Sequence, residues 1–127
     1  MTDDGGAVAD DGSEVDVGFV ITKTPLDSGR VMSALAQAEA ALAQGRRVGL
    51  FLISDGVWLA RRGQDNSCAA AFQRVVAGGA AVTVSPEHLS GAGITPAELL
   101  DGMNVAGNTY RSLVECVMEK WRKIVVV

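Results

Sequence analysis

The chain is poor in the residues that most often bind metals or form cross-links. Of its 127 residues, two are cysteine and one is histidine. Cys68 and Cys116 are widely separated, so they form no Cys-x-x-Cys motif, and we do not expect a disulfide framework. A single histidine provides no cluster of ligands. We therefore predict neither a metal nor a cofactor.

Long apolar runs and clustered positive charge are also lacking. No run approaches the ~20 residues of a membrane span, and the acidic, glycine-rich first residues do not resemble a signal peptide. We therefore expect a cytoplasmic protein without a membrane partner. Eleven basic and fifteen acidic residues give a net charge of −4. Nucleic-acid-binding surfaces need clustered Lys and Arg, so we do not expect nucleic acid as a partner.

The composition is that of one folded domain with an acidic tail. Hydrophobic residues make up 48% of the chain and charged residues 20%. Residues 1–14 combine acid, glycine and alanine with almost nothing to bury, which predicts a disordered tail. Residues 15–127 form the predicted single α/β domain.

The most informative segment is residues 48–59. Its first half is an unalternating run of large apolar residues, typical of a strand buried on both faces of a parallel sheet. The run ends at Ser54-Asp55-Gly56, where small polar residues mark the carboxyl end of the strand. Ligands of open α/β sheets bind at that end. The segment therefore predicts where a site lies but no reaction.

The other apolar segments predict alternating strands and helices. We expect strands at 15–22, 48–53, 81–84, 103–105 and 124–127. Helices are predicted at 24–44, 66–77, 95–102 and 108–121, with a loop through 85–93. This alternation predicts a three-layer α/β/α sandwich whose sheet is mainly parallel and has about five strands.

Two helix starts carry recognisable caps. Thr24 is predicted to cap the first helix, with Pro25 at its first position and Asp27 completing a capping box; Asp27 or Ser28 is an alternative cap. Asn108 is predicted to cap the last helix. That helix is expected to be well buried through an apolar face made of Tyr110, Leu113, Val114, Val117, Met118 and Trp121.

Several polar residues are predicted to meet at the carboxyl edge of the sheet. The strand ends place Lys23, Ser54 to Val57 and Ser85 at one edge. We predict a ligand site here that comprises Lys23, Asp55, Gly56, Ser85 and His88. The charge of Lys23 suits a small anion.

Three further groups each have a chemical and a structural interpretation. Ser85, Glu87 and His88 bring a hydroxyl, a carboxylate and an imidazole together and could form a nucleophilic arrangement. Neighbours in a loop seldom reach the necessary geometry, so an exposed histidine in a turn is the simpler interpretation. Cys68 begins a helix, where a thiol can become reactive, but it shares a face with apolar residues and can equally be buried and inert. Trp58 suits either a subunit interface or the core.

Taken together, the segments resemble the DsrE/DsrF-like family of small sulfur-relay proteins. The most specific piece is the strand that leads into Asp55-Gly56-Val57. The other matching segments are Gly18-Phe19-Val20-Ile21-Thr22, Gly45-Arg46-Arg47-Val48-Gly49-Leu50-Phe51-Leu52, Trp58-Leu59-Ala60, Gly79-Ala80-Ala81-Val82-Thr83-Val84-Ser85, Gly93-Ile94 and the closing apolar strand.

The resemblance implies an α/β sandwich that assembles into homo- or hetero-oligomers, often trimers or hexamers. In active members a cysteine just after the third strand carries persulfide sulfur. Here that position holds Ser85, and a hydroxyl cannot hold sulfane sulfur. We therefore expect a non-catalytic binding or partner subunit. The alternatives are a persulfide carrier, or sulfurtransferase, that uses Cys68 and a small-anion-binding module.

Overall fold

A computed structural model of the protein describes residues 13–26 and 29–127. Its strands, in chain order, are β1 (Val15–Ile21), β2 (Val48–Leu52), β3 (Ala81–Val84), β4 (Met103–Val105) and β5 (Trp121–Val126). The helices are α1 (Arg30–Ala43), α2 (Ser67–Ala77), α3 (Pro86–Gly91) and α4 (Thr109–Glu115). Shorter 3₁₀ segments cover Ser54–Ala60 and Pro96–Glu98, and a π-helical turn covers Cys116–Lys120.

The five strands form one all-parallel sheet in the order β4-β3-β2-β1-β5. Helices lie on both sides of it, so the predicted α/β sandwich is confirmed. Every residue of the central strand β2 is buried, as the unalternating apolar run predicts. No helix in the described part of the chain has the length and hydropathy of a bilayer-crossing segment.

One face of the sheet carries the larger core. Alternate residues of the strands, such as Phe19, Leu50 and Val82, pack there against α1 and α2. The two helices contribute fully buried side chains that include Leu35 and Phe72. This side is closed without help from another molecule.

The opposite face is covered more thinly. Its buried cluster consists of Val15, Val20, Phe51 and Trp121, and the partly buried side chains of Leu113, Cys116 and Val117 pack on it. The indole of Trp121 lies directly over Gly18 and Gly49, where a Cβ on Gly18 would overlap the ring. The tryptophan therefore fits because both β1 and β2 have glycine beneath its ring.

The predicted start of the first helix is wrong. Helix α1 begins at Arg30, after Gly29 at the N-cap. The Thr24 hydroxyl instead accepts a hydrogen bond from the backbone N–H of Leu26 (3.2 Å), which closes a local turn of the kind that competes with helix capping. The alternative caps Asp27 and Ser28 lie outside the described residues. The predicted end is confirmed, since Gly45 follows the helix at φ +76°.

The segment 85–93 contains a helix where a loop is predicted. Ser85 is the N-cap of α3, and its hydroxyl accepts a hydrogen bond from the backbone N–H of His88 (3.2 Å). Pro86 occupies the first helical position, where its fixed φ is favourable. Between Thr95 and Gly102 the chain forms one 3₁₀ turn with a Thr95–Glu98 capping box. The longer helix predicted for this segment is not formed.

The last predicted helix is shorter and less buried than expected. Asn108 caps α4 as predicted, its side chain accepting from the backbone N–H of Arg111 (2.9 Å). The helix then passes into the π turn, and Trp121 already belongs to β5. Within the apolar face, Leu113 and Val117 are half-buried, whereas the other three residues, Tyr110, Val114 and Met118, are 60%, 56% and 74% exposed.

The predicted tail concerns mainly residues 1–12, which lie outside the described residues. Its last two residues are held to the domain. The backbone carbonyl of Ser13 accepts a hydrogen bond from Arg47 (3.0 Å), and the backbone N–H of Glu14 donates to the carbonyl of Lys120 (2.9 Å).

Candidate functional site

The carboxyl ends of β1, β2 and β3 are adjacent, because these three parallel strands are neighbours in the sheet. At the end of β2 the chain turns at Ser54, a non-glycine residue with φ +51°. Its backbone N–H donates a hydrogen bond to Nδ1 of His88 (2.7 Å). The neutral imidazole therefore carries its proton on Nε2. This bond ties the turn after β2 to α3.

A shallow cleft of about 250 Å³ opens beside this hydrogen bond. Its described lining consists of Ser54, Asp55, Trp58, Glu87, His88, Gly91 and Ala92. The structure thus brings together Asp55 and His88, two of the predicted ligand residues. Two carboxylates and a neutral imidazole give the cleft a negative charge, which opposes the binding of an anion.

Ser85 does not line the described part of this cleft. It is fully buried, and its Oγ lies 2.9 Å from Oγ1 of Thr109. The Thr109 hydroxyl donates to Oε1 of Glu87 (2.5 Å), so the hydrogen bond between the two hydroxyls is donated by Ser85. The Thr109 hydroxyl bond is the main cause that lowers the pKa of Glu87 below its ordinary value of 4.5.

This network leaves no base for Ser85. His88 contacts it through a backbone N–H, while the imidazole Nδ1 is occupied by Ser54. The arrangement of a nucleophile activated by a histidine, which the sequence leaves open, is therefore not formed. Ser85 has a structural role in the first turns of α3 and α4.

The remaining predicted ligand residues, Lys23 and Gly56, do not belong to the described lining of the cleft. Lys23 is exposed just beyond β1 and is absent from the described lining. Gly56 is buried, and a Cβ there would overlap the carbonyl of Ile21. The Asp55-Gly56 signal therefore reflects, at least at Gly56, close approach of two backbones.

Both cysteines have raised pKa values, and no cation among the described residues lowers the pKa of Cys68. Burial raises the pKa of the Cys68 thiol, whose Sγ donates to the carbonyl of Pro25 (3.3 Å). Arg61 and Arg62 pair with Glu98 and Asp101 instead. Burial likewise raises the pKa of Cys116. A neutral, buried thiol is a poor nucleophile.

Trp58 is half-buried between this cleft and a smaller one of about 210 Å³ near Thr24 and Gln64. The guanidinium carbon of Arg61 lies 5.9 Å from the centre of its ring, within the range of a cation–π contact. Trp58 thus packs partly against the core and partly faces open clefts.

A larger groove lies on the other side of α3. It has a volume of about 370 Å³ and is lined by uncharged, mostly apolar residues: Pro86, Leu89, Ser90, Gly93, Ile94, Thr95, Pro96, Leu99 and Val105. Val105, on the short strand β4, is 50% exposed. Sequence patterns give no sign of this groove, because it depends on the unpredicted helix α3.

Thr109 is a site residue that the sequence does not indicate, and its bond to Glu87 is not predicted either. Thr109 follows a predicted cap and Glu87 precedes a histidine, but only the fold joins them across 22 residues. The described residues include no cluster of three or more His, Cys, Asp or Glu side chains that could hold a metal ion.

Comparison with known proteins identifies relatives along almost the whole domain. The model of the DsrE/DsrF-like family matches residues 16–126. An uncharacterized protein of Methanopyrus kandleri is 30% identical over 104 residues, which cover 79% of this chain and 84% of that protein.

Solved structures share the fold. The crystal structure of the ychN protein from E. coli has a TM-score of 0.78 at 23% identity, covering 89% of this chain and 99% of that one. The protein of unknown function MTH1491 from Methanobacterium thermoautotrophicum has a TM-score of 0.73 at 21% identity, with the same coverage.

Proposed function

Because the chain belongs to the DsrE/DsrF-like family, we propose that it acts in cytoplasmic sulfur handling as a non-catalytic subunit. It binds partner chains of the same fold and does not carry the sulfur itself. The observation that carries this proposal is the environment of Ser85. The family resemblance places the persulfide cysteine of active members just after the third strand, and Ser85 follows β3 directly.

The surroundings of Ser85 support a structural role. Its hydroxyl is fully buried and bonded to Thr109, which is buried as well. A sulfur atom placed there would lie beneath α3 and α4, out of reach of a donor. The side chain at this position ends in oxygen instead of sulfur, and it is buried. Both facts argue against sulfur transfer.

The persulfide carrier that uses Cys68 is the weaker alternative. A persulfide forms when a thiolate attacks the sulfane sulfur of a donor, and thiolate formation falls as the thiol pKa rises. Burial raises the pKa of Cys68 and also hides its sulfur. No described cation offsets this effect.

The small-anion module is the other alternative, and the charges at the sheet edge disfavour it. Asp55 and Glu87 line the cleft, while Lys23 is not part of its described lining. If Lys23 nevertheless binds an anion such as sulfate, Lys23→Ala weakens that binding, as calorimetry would measure.

Assembly is the second part of the proposed function. Tyr110, Val114 and Met118 form an exposed apolar stripe on a chain whose core is otherwise closed by α1 and α2. Contiguous exposed apolar surface is typical of protein contact sites. A homo-oligomer, such as a trimer or hexamer, or a hetero-oligomer of DsrE-like chains would cover it.

The proposal is tested by incubating the protein with glutathione persulfide and measuring its intact mass. We expect no added sulfur on Cys68, which peptide mapping distinguishes from the partly exposed Cys116. Ser67→Cys is the matched control, because Ser67 is exposed at the position beside Cys68 and its thiol should accept sulfur. Sulfur on Cys68 in the folded wild type would refute the non-catalytic role.

The partner role needs a second measurement. A DsrE-like sulfur carrier of the same organism is loaded with persulfide and mixed with the protein. We expect a complex of fixed stoichiometry in which sulfur remains on the carrier. Absence of any complex would contradict a hetero-oligomeric role.

A further inference from the structure

The smaller cleft beside Trp58 has a polar, uncharged lining that the proposed function does not use. It has a volume of about 210 Å³, and its described lining consists of Thr24, Pro25, Leu26, Trp58, Gln64 and Asn66. These residues follow β1, follow β2 or precede α2, so the cleft lies beyond the carboxyl ends of two neighbouring parallel strands. Ligands of open α/β sheets bind at this end of the strands.

Two carboxamides of the lining are each held in one orientation by bonds to the backbone. Nε2 of Gln64 donates to the carbonyls of Trp58 (2.6 Å) and Arg61 (2.9 Å). Both of its hydrogens are therefore used, and its Oε1 has no partner among the described hydrogen bonds. Oδ1 of Asn66 accepts from the backbone N–H of Ala69 (2.8 Å) as the cap of α2, which leaves its Nδ2 hydrogens without a described partner. An N–H must donate and a carbonyl must accept, so these bonds fix which end of each amide is nitrogen and which is oxygen.

The lining therefore offers one oriented acceptor, Oε1 of Gln64, and one oriented donor, Nδ2 of Asn66. Trp58 adds aromatic surface, since it is half-buried and borders the cleft. A ligand that satisfies all three groups presents an N–H to the acceptor, a C=O to the donor and a flat ring to the indole. The described lining carries no charge, which favours a neutral ligand, because a charged one would lose its hydration without gaining a partner.

The size of the cleft limits the ligand further. Pockets for drug-sized molecules measure about 300–1,000 Å³, so a cleft of about 210 Å³ suits a single ring. From these observations we infer that the cleft binds a neutral six-membered heterocycle with adjacent N–H and C=O groups, of which uracil is the simplest probe. Its N–H donates to Gln64, its C=O accepts from Asn66, and its ring lies against Trp58. This inference adds a small-molecule site to the proposed function and does not depend on the partner role.

Titration of the protein with uracil, followed through the two indole N–H signals in NMR spectra, tests the inference. We expect the Trp58 signal to shift until the site is saturated. The Trp121 signal should stay in place, because Trp121 is buried in the cluster on the other face of the sheet. 1,3-Dimethyluracil has the same ring and carbonyls but no N–H, so it should bind about tenfold more weakly.

Two variants each remove one of the oriented groups. Asn66→Asp keeps an oxygen that caps α2 and loses the donor, and Asp caps helices as well as Asn does. Gln64→Lys keeps a donor for the two carbonyls and has no acceptor. We expect each variant to bind uracil about tenfold more weakly than the wild type, with an unchanged circular dichroism spectrum. Ser67→Asp is the matched control, because it adds the same charge as Asn66→Asp at an exposed position outside the described lining; it should bind uracil like the wild type.

Several outcomes would overturn the inference. They are a Trp58 signal that does not move up to the solubility limit of uracil, undiminished binding by either folded variant, and equal affinity for uracil and 1,3-dimethyluracil. A control that loses binding as Asn66→Asp does would also overturn it, because added charge and not the missing donor would then explain the loss.

Discussion

The backbone N–H of Ser54 donates to Nδ1 of His88 over 2.7 Å, and this contact joins the turn after β2 to the first turn of α3. Ser54 adopts φ +51°, a conformation that serine rarely takes without support. The edge of the imidazole also meets the ring of Tyr110, with centroids 6.4 Å apart. His88 thus connects the carboxyl end of the central strand to both helices that follow β3.

Replacing His88 tests whether this connection stabilises the fold. We expect His88→Ala to lower the free energy of unfolding by about 1 kcal/mol, because the Ser54 N–H loses its acceptor. His88→Asn offers an amide oxygen near the position of Nδ1 and should recover part of the loss. Urea unfolding of the three proteins measures the difference. Equal stability of the alanine variant and the wild type would show that water replaces the imidazole at no cost.

Thr109→Val tests the network beneath the cleft. Ser85 is fully buried, so loss of its hydroxyl acceptor should destabilise the protein by about 1–3 kcal/mol at neutral pH. Thr109→Ser keeps the hydroxyl and is the matched control, with a smaller effect. If Thr109→Val is as stable as the wild type while Thr109→Ser is destabilised, the methyl group of Thr109 matters and its hydrogen bonds do not.

The same network predicts a pH dependence. The Thr109 hydroxyl is the main cause of the lowered pKa of Glu87. A lowered carboxyl pKa in the folded state gives stability that is present above the ordinary value of 4.5 and is lost as the pH falls through the folded pKa. Thr109→Val should therefore show a weaker acid-induced loss of stability than the wild type. NMR titration of the Glu87 carboxyl should show a higher pKa in the variant, and an unchanged value would contradict this assignment.

Gly18→Ala tests the packing of Trp121. A Cβ at Gly18 would overlap the indole, so we expect a loss of about 1–3 kcal/mol in unfolding free energy. Gly91→Ala is the control, because nothing lies near its Cβ position and its φ is not positive. Combining Gly18→Ala with Trp121→Leu should cost less than the sum of the two single changes, since the smaller side chain makes room. Additive losses would show that the two positions do not share this contact.

The sequence predicts what depends on local pattern and misses what depends on neighbours in space. The buried strand that begins at Val48, the Asn108 cap and the end of α1 before Gly45 appear as predicted. Helix α3 is missed because the segment around Pro86 lacks apolar residues at helical spacing. In the structure Ser85 is the N-cap of this helix, and its hydroxyl is also bonded to Thr109.

The candidate site was predicted only in part, for the same reason. Topology places Asp55 and His88 at one edge, since strand ends converge in a parallel sheet. Burial of Ser85 and the Thr109–Glu87 bond depend on how α4 returns across the sheet. The helical pattern of α4 also predicts a buried face, but the π turn and the short contact with the sheet leave half of it exposed.

Cysteine labelling tests the accessibility on which the non-catalytic role depends. Cys116 is partly exposed, whereas Cys68 is buried and its thiol is held against the Pro25 carbonyl. With iodoacetamide at neutral pH we expect Cys116 to react first and Cys68 only slowly, because burial raises the pKa of both thiols but hides the sulfur of Cys68 more fully. In urea the two rates should become similar.

Cys116→Ala isolates the slow reaction, and mass spectrometry of peptides assigns each label. Fast labelling of Cys68 in this folded variant would mean that the turn at Thr24–Leu26 opens readily, and it would restore Cys68 as a candidate for sulfur transfer.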